Sequence, residues 1–251
     1  GLDAAQAWLK KLIAEAPIEV SVVGDLPRPA ALALVERYIG ALPPRSRVSD
    51  KTFRDLRTIA RPAGPIRVER KISVRTPQAF VLDGFFGTDI QNVRDVRLLA
   101  LGARVLSTRM NRIIREEKQL VYSIGASSQP ASEYPGFGFF IARAPTDPAK
   151  ANALATAVEE MYLAFAKDGP TADEMAVAKK QIANQLDQLL KDPDFWSSRL
   201  ASLDYRGLSL DDLTDTPAAY QRYAAEEVRD AFARYFRPDA RFSFVIAPQG
   251  P

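Results

Sequence analysis

The chain has 251 residues, 47% of them hydrophobic, with 34 Lys and Arg against 31 Asp and Glu. That is enough apolar chain for a sizeable core, and a formal charge of +3 lacks the concentrated basic excess that nucleic acid demands. With no Cys there are no disulfides or thiolate metal sites, and with no His the chain cannot assemble a His-rich zinc set or an imidazole base for a Ser or Cys nucleophile.

Taken in order, Asp3 to Ala14 places Ala7, Leu9, Leu12 and Ile13 on one side of a short helix, which Pro17 stops. Ile18-Glu-Val-Ser-Val-Val23 alternates and then runs apolar, predicting a half-buried strand. Gly24-Asp25 turns the chain, and Ala30 to Ala41 predicts a second helix, with Pro29 at a tolerated first-turn position. The polar, proline-bounded stretch from Ser46 to Pro65 contains the linker, set at residues 49–65. Near the other end, Ala224 to Phe236 predicts a helix, Arg237-Pro238 breaks it, and Arg241 to Ile246 predicts a strand. This repeats the helix–proline–strand order of residues 3–23. Residues 1–48 are therefore expected to be the tail of a preceding homologous domain, and residues 66–251 a complete one.

Within the complete domain, Ile66, Val68, Arg70, Ile72 and Val74 alternate as a strand with one wet face, and Gln78 to Phe86 is apolar enough for a central strand. Val121 to Gln129 and Gly136 to Arg143 predict a hairpin about the Glu133-Tyr-Pro-Gly136 turn. A helix from Thr146 presents Leu154, Val158, Met161 and Phe165, and closes at Gly169-Pro170. Thr171 and Glu174 have capping-box spacing for the next helix. Phe195, Leu200 and Leu203 mark a short helix, with Trp196 beside Phe195 read as core packing, and Leu208 to Tyr220 is read as turn-rich. Hairpins and paired helices predict an α+β fold, an antiparallel sheet covered by helices on one face. No apolar run approaches the roughly 18 residues needed to cross a bilayer, and standard phosphate-loop spacings are missing.

The remaining stretch, Gln91 to Ser123, opens as a long helix with Val96, Leu99, Ala103, Leu106, Met110 and Ile113 on one stripe. Its other arginines (Arg94, Arg97, Arg104, Arg109, Arg112) are read as a solvated face. Its end, Arg115-Glu-Glu-Lys-Gln-Leu-Val-Tyr122, offers a planar guanidinium and a phenol seven positions apart, able to donate to one carbonyl or carboxylate. The plain alternative is a surface arginine paired with Glu116 or Glu117.

This segment resembles the R-x-x-x-x-L-x-Y helix-to-strand segment in the non-metal half of pitrilysin/insulinase-type zinc metallopeptidases. The resemblance extends over nearly the whole chain, and implies one half of a clam shell whose homologous half carries the zinc. It implies no activity and no cofactor for this chain alone. Arg115 and Tyr122 would contact the scissile peptide across the shell, with the partner half in the same polypeptide or a separate subunit. Tyr134 and Phe137, beside the hairpin turn, are further candidates for contacting an extended peptide. The competing reading is a non-catalytic structural or assembly module on the same fold. Neither nucleic acid nor membrane is an expected partner, and the periplasm is favoured over the cytoplasm.

Overall fold

A five-stranded sheet organises the larger part of the computed structural model, which describes residues 1–48, 53–73 and 77–249. The strands β1 (Ile66–Ile72), β2 (Ala79–Gly87), β3 (Gly125–Gln129), β4 (Gly138–Thr146) and β5 (Arg241–Pro248) lie in the order β1-β5-β2-β4-β3. β2 is the middle strand, antiparallel to β5 on one side and β4 on the other, and β3 pairs with β4 in the expected hairpin. β1 runs parallel to β5 and departs from the antiparallel expectation. Most of the domain separates those two strands in sequence, so no tight turn fixes their relative direction. Val74, expected to extend β1, lies outside the described residues, as do residues 49–52 of the linker.

The helices are α1 (Leu2–Glu15), α2 (Arg28–Tyr38), α3 (Arg54–Arg57), α4 (Val93–Met110), α5 (Ala151–Asp168), α6 (Ala172–Leu189), α7 (Pro193–Leu200), α8 (Leu210–Thr214), α9 (Thr216–Arg222) and α10 (Ala225–Tyr235). Two of them, α8 and α9, occupy the stretch expected to be turns. Pro217 near the start of α9 and burial of Ala219 and Tyr220 show why: the apolar residues there sit on a helical face, not in a loop. The capping box forms as expected, with Glu174 accepting from the Thr171 N–H at 2.9 Å and the Thr171 hydroxyl accepting from the Glu174 N–H at 3.2 Å.

The chain divides into two units, residues 1–56 with 186–210 and residues 57–185 with 211–251. Residues 186–210, read from sequence as part of the 66–251 domain, thus pack with the N-terminal unit. In that unit Phe195 and Trp196 are half-buried edge to face at 5.5 Å. The expected strand at residues 18–23 is irregular, because a strand needs a neighbour and the described residues supply it none. Neither α1 nor α2 buries a residue.

The larger unit holds the core. α4, α5 and α10 cover one face of the sheet, where Phe85 of β2 stacks on Phe140 of β4 at 5.0 Å. Phe232 of α10 meets Phe85, Phe140, Tyr162, Phe165 and Phe236 at 4.9 to 5.7 Å, largely edge to face. Each such pair adds about 0.5–1.5 kcal/mol beyond simple burial. Gly84 lets β2 and β4 close up, since a Cβ there would collide with the Phe140 carbonyl oxygen. The opposite face is largely apolar rather than polar, although Phe80, Phe139 and Arg143 on it stay exposed. By register it carries Phe80, Leu82, Phe86, Phe139, Ile141, Phe242, Phe244 and Ile246, with the Arg61 guanidinium 4.9 Å over Phe86.

Candidate functional site

The site begins with the anchoring of α4. Asn92 caps it by accepting from the Asp95 N–H at 3.2 Å. Asp95, almost fully buried, accepts from the Arg234 guanidinium and the Tyr235 hydroxyl of α10, each at 2.8 Å. Of the expected stripe, Leu99, Ala103, Leu106 and Met110 are buried, whereas Val96 and Ile113 are half-buried and Ile114 is the buried residue beyond Met110.

Two arginines expected on a solvated face are structural. Arg97 is buried and donates to the Asp212 carbonyl and the Thr216 hydroxyl. Arg109 pairs with Glu174 at 2.6 Å, donates to the Gly169 carbonyl at 3.0 Å and lies 5.3 Å from the centre of the Phe165 ring. That guanidinium and the capping hydrogen bonds hold the Glu174 carboxyl below the usual carboxylate range.

Past Met110 the winding widens into a π-helix, Asn111–Glu117, and at its end the Lys118 N–H reaches five residues back to the Ile113 carbonyl at 2.9 Å. Arg115 rides on its exposed side. The chain reverses through Gln119, a non-glycine residue at φ 50°, and Tyr122 follows in an irregular segment. The strand expected from Val121 starts only at Gly125, and Val121 itself makes a single bridge to Thr146. The Arg115 guanidinium carbon lies 5.9 Å from the centre of the Tyr122 ring, which is 88% exposed. Among the described residues Arg115 forms no ion pair with Glu116 or Glu117, so both donors remain unspent beside each other.

Tyr134 and Phe137 lie elsewhere. Tyr134 is about half exposed, and Phe137 packs edge to face on Phe86 at 5.7 Å. They adjoin the start of β4, whereas Val121 bridges its last residue, Thr146. At about 3.3 Å per residue, the length of β4 separates them from Tyr122 by about 26 Å. The four candidate residues thus form two patches at opposite ends of the sheet.

A cavity of about 230 Å³, lined by both charged and apolar side chains, opens between β1, β5 and α5. Asp83 on its wall is 5% exposed, and burial pushes its carboxyl up to about 6, against the opposing pull of Ser243, Arg241 and Arg67. Arg241 pairs with Glu159, and Arg67 stands 3.7 Å from the same carboxylate. The neighbouring Tyr162 phenol, fully buried, is driven well above its ordinary range, chiefly by burial.

The described residues contain no group of three or more His, Cys, Asp or Glu able to hold a metal, and no helix long and apolar enough to cross a membrane. A helix-covered sheet here presents an exposed guanidinium and phenol side by side, in a chain with no imidazole or thiol. The family model "Peptidase M16 inactive domain" matches residues 2–182, and the chain belongs to that family. No curated protein matches it by sequence. Among solved structures, the peptidase M16 inactive domain from Pseudomonas fluorescens is 22% identical with a TM-score of 0.72, covering 90% of this chain and 53% of that one. The periplasmic protease PqqL from Escherichia coli is 16% identical with a TM-score of 0.65, over 90% of this chain and 25% of that one. Complex III2 from Candida albicans is 13% identical with a TM-score of 0.69, over 89% and 53%. The chain therefore spans about half, or a quarter, of the length of these three chains.

Proposed function

We propose that this chain is the zinc-free, substrate-positioning half of an M16 metalloendopeptidase, in which Arg115 and Tyr122 donate to the carbonyl of the scissile peptide. The observation that carries the reading is the exposed pair itself, a guanidinium and a phenol side by side with neither engaged in an ion pair. Negative charge grows on a peptide carbonyl oxygen as it is attacked, and donors fixed around that oxygen lower the barrier. One such donor is worth about 3 kcal/mol. The zinc that the family implies does not fit here, since the chain has neither His nor Cys. It belongs on the homologous half, and this chain alone neither holds it tightly nor cleaves peptides. The periplasm is the compartment we favour.

With the zinc-bearing half present, Tyr122→Phe is expected to lower kcat far more than it raises KM, because the phenol acts mainly in the transition state. Arg115→Ala is expected to reduce kcat/KM more broadly, since a guanidinium also grips the carbonyl in the ground state. Arg112→Ala serves as the control. Wild-type rates in both Tyr122→Phe and Arg115→Ala would refute the site and leave the structural-module reading standing.

We also read residues 1–48 as the tail of a preceding homologous domain. α1 and α10 end alike, the Ala16 and Phe236 N–H groups each bonding four residues back, to the Leu12 and Phe232 carbonyls at 2.9 Å. Counted from these caps, Leu12 matches Phe232 and Trp8 matches Val228, which the larger unit buries. Trp8, 64% exposed, and Leu12 instead line an apolar groove with Phe53 and Tyr205. In a Trp196→Phe background, which leaves Trp8 as the sole tryptophan, adding the upstream half should shift its emission to the blue. An unchanged spectrum would refute this boundary.

A further inference from the structure

The segment that presents Tyr122 belongs to no strand, yet side chains from two elements fasten it at both flanks. On one side the Thr146 hydroxyl donates to the Leu120 carbonyl at 2.6 Å, and Thr146 is itself 5% exposed. On the other, the Asn111 amide donates to the Ile124 carbonyl at 3.0 Å and to the Ser107 carbonyl at 2.8 Å. Ser107 extends the clamp, accepting from the Ala126 N–H at 2.8 Å and donating to its carbonyl at 3.0 Å. Asn111 opens the π-helix that carries Arg115. Wider winding turns the chain less per residue than an α-helix would, so the exit angle of Arg115 depends on where this turn begins.

We propose that Asn111 and Thr146 are positioning residues for the Arg115–Tyr122 pair, Asn111 tying the segment of Tyr122 to the helix of Arg115 and Thr146 tying it to the sheet. This rests on the reading of Arg115 and Tyr122 given above. Both bonds end on backbone carbonyls flanking Tyr122, two residues before it and two after, so together they fix the path of residues 120–124 without touching the phenol. The Lys150 ammonium supports the same turn by donating to the Gln119 carbonyl at 2.9 Å. A displacement of even 1 Å at a reacting group can cost about a hundredfold in rate.

The test is steady-state kinetics on the chain assembled with its zinc-bearing half. Thr146→Val and Asn111→Leu remove the donors while keeping the volume, and each is expected to lower kcat by about ten- to a hundredfold with KM within about twofold. Thr146→Ser, which keeps the hydroxyl, should recover most of the rate. A fluorotyrosine at position 122 reports independently of turnover: its fluorine resonance should move in Asn111→Leu toward the position seen in Arg115→Ala. If Tyr122→Phe and Arg115→Ala lose activity while Thr146→Val and Asn111→Leu keep wild-type kcat and an unmoved resonance, the positioning role is overturned and the site survives. A Thr146→Ser variant as slow as Thr146→Val would equally overturn it, because packing alone would then explain the loss.

Discussion

Replacing Asp83 by Asn should stabilise the larger unit at neutral pH, and the gain should vanish in acid. Burial raises the Asp83 carboxyl from 3.8 to about 6 in the folded chain, so the neutral acid is the form the fold prefers. The sign follows from linkage: its contribution is fully present below about pH 3.8 and lost as pH rises through about 6. At 1.36 kcal/mol per pH unit the loss above that range is about 3 kcal/mol. Asparagine keeps the shape and a hydrogen-bonding group for Ser243, but carries no charge to desolvate. It forfeits the attraction of Arg241 and Arg67, which already tempers the shift, so the net gain at pH 8 should be about 2–3 kcal/mol. For a unit of this size that is a rise of roughly 5–10 °C in Tm. Thermal melts of both forms at pH 4 and pH 8 would show the gap opening between them. A gap of equal size at both pH values, or an Asp83→Asn variant that melts below the wild type at pH 8, would refute the burial argument.

Other perturbations have clear directions. Gln119→Gly should stabilise the chain by up to about 1 kcal/mol in denaturant melts, by relieving a non-glycine residue at φ 50°, the gain being reduced by the greater freedom of the unfolded glycine. Phe232→Ala, which empties the centre of the aromatic cluster, should cost about 3–5 kcal/mol in the same assay. Glu174→Ala removes both the capping box and the Arg109 pair and should cost about 1–3 kcal/mol at pH 7. Because that carboxyl is held low, the cost should shrink as pH falls below its ordinary value of 4.5.

What could be read in the sequence were features whose signal is local and periodic. The α4 stripe, the continuous run of β2 and the Thr171–Glu174 box each carry their partners within a turn or a strand. Features resting on distant partners were not legible. The residues 18–23 alternate like a strand, but alternation shows which side chains suit burial, not whether a neighbouring strand is present. Arg97 looks like any helix-surface arginine until Asp212 and Thr216, 115 and 119 residues away, are folded against it. The site divided in the same way. Arg115 and Tyr122 were visible as a motif, while the π-helical winding and the bonds from Asn111 and Thr146 left no trace, since each ends on a backbone group that every residue possesses. The separation of Tyr134 and Phe137 from that pair depends on the length of β4 and not on their spacing in the chain.

The two margins of the sheet are shut in different ways, and this bears on where a foreign strand could join it. Along β3 and just before it, Ser107 and Asn111 occupy backbone groups of Ala126 and Ile124, so an incoming peptide would have to expel one side chain of α4 and one of the π-helix that carries Arg115. β1 has no such cover: beyond β5 it pairs with nothing among the described residues, and its exposed Arg67, Glu69, Arg70 and Lys71 guard it only by charge. Charge is screened by salt, whereas a hydroxyl and an amide already bonded to the backbone are not. Self-association of this chain by strand addition should therefore begin at β1 and grow with ionic strength, leaving the end of the sheet that presents Tyr122 untouched.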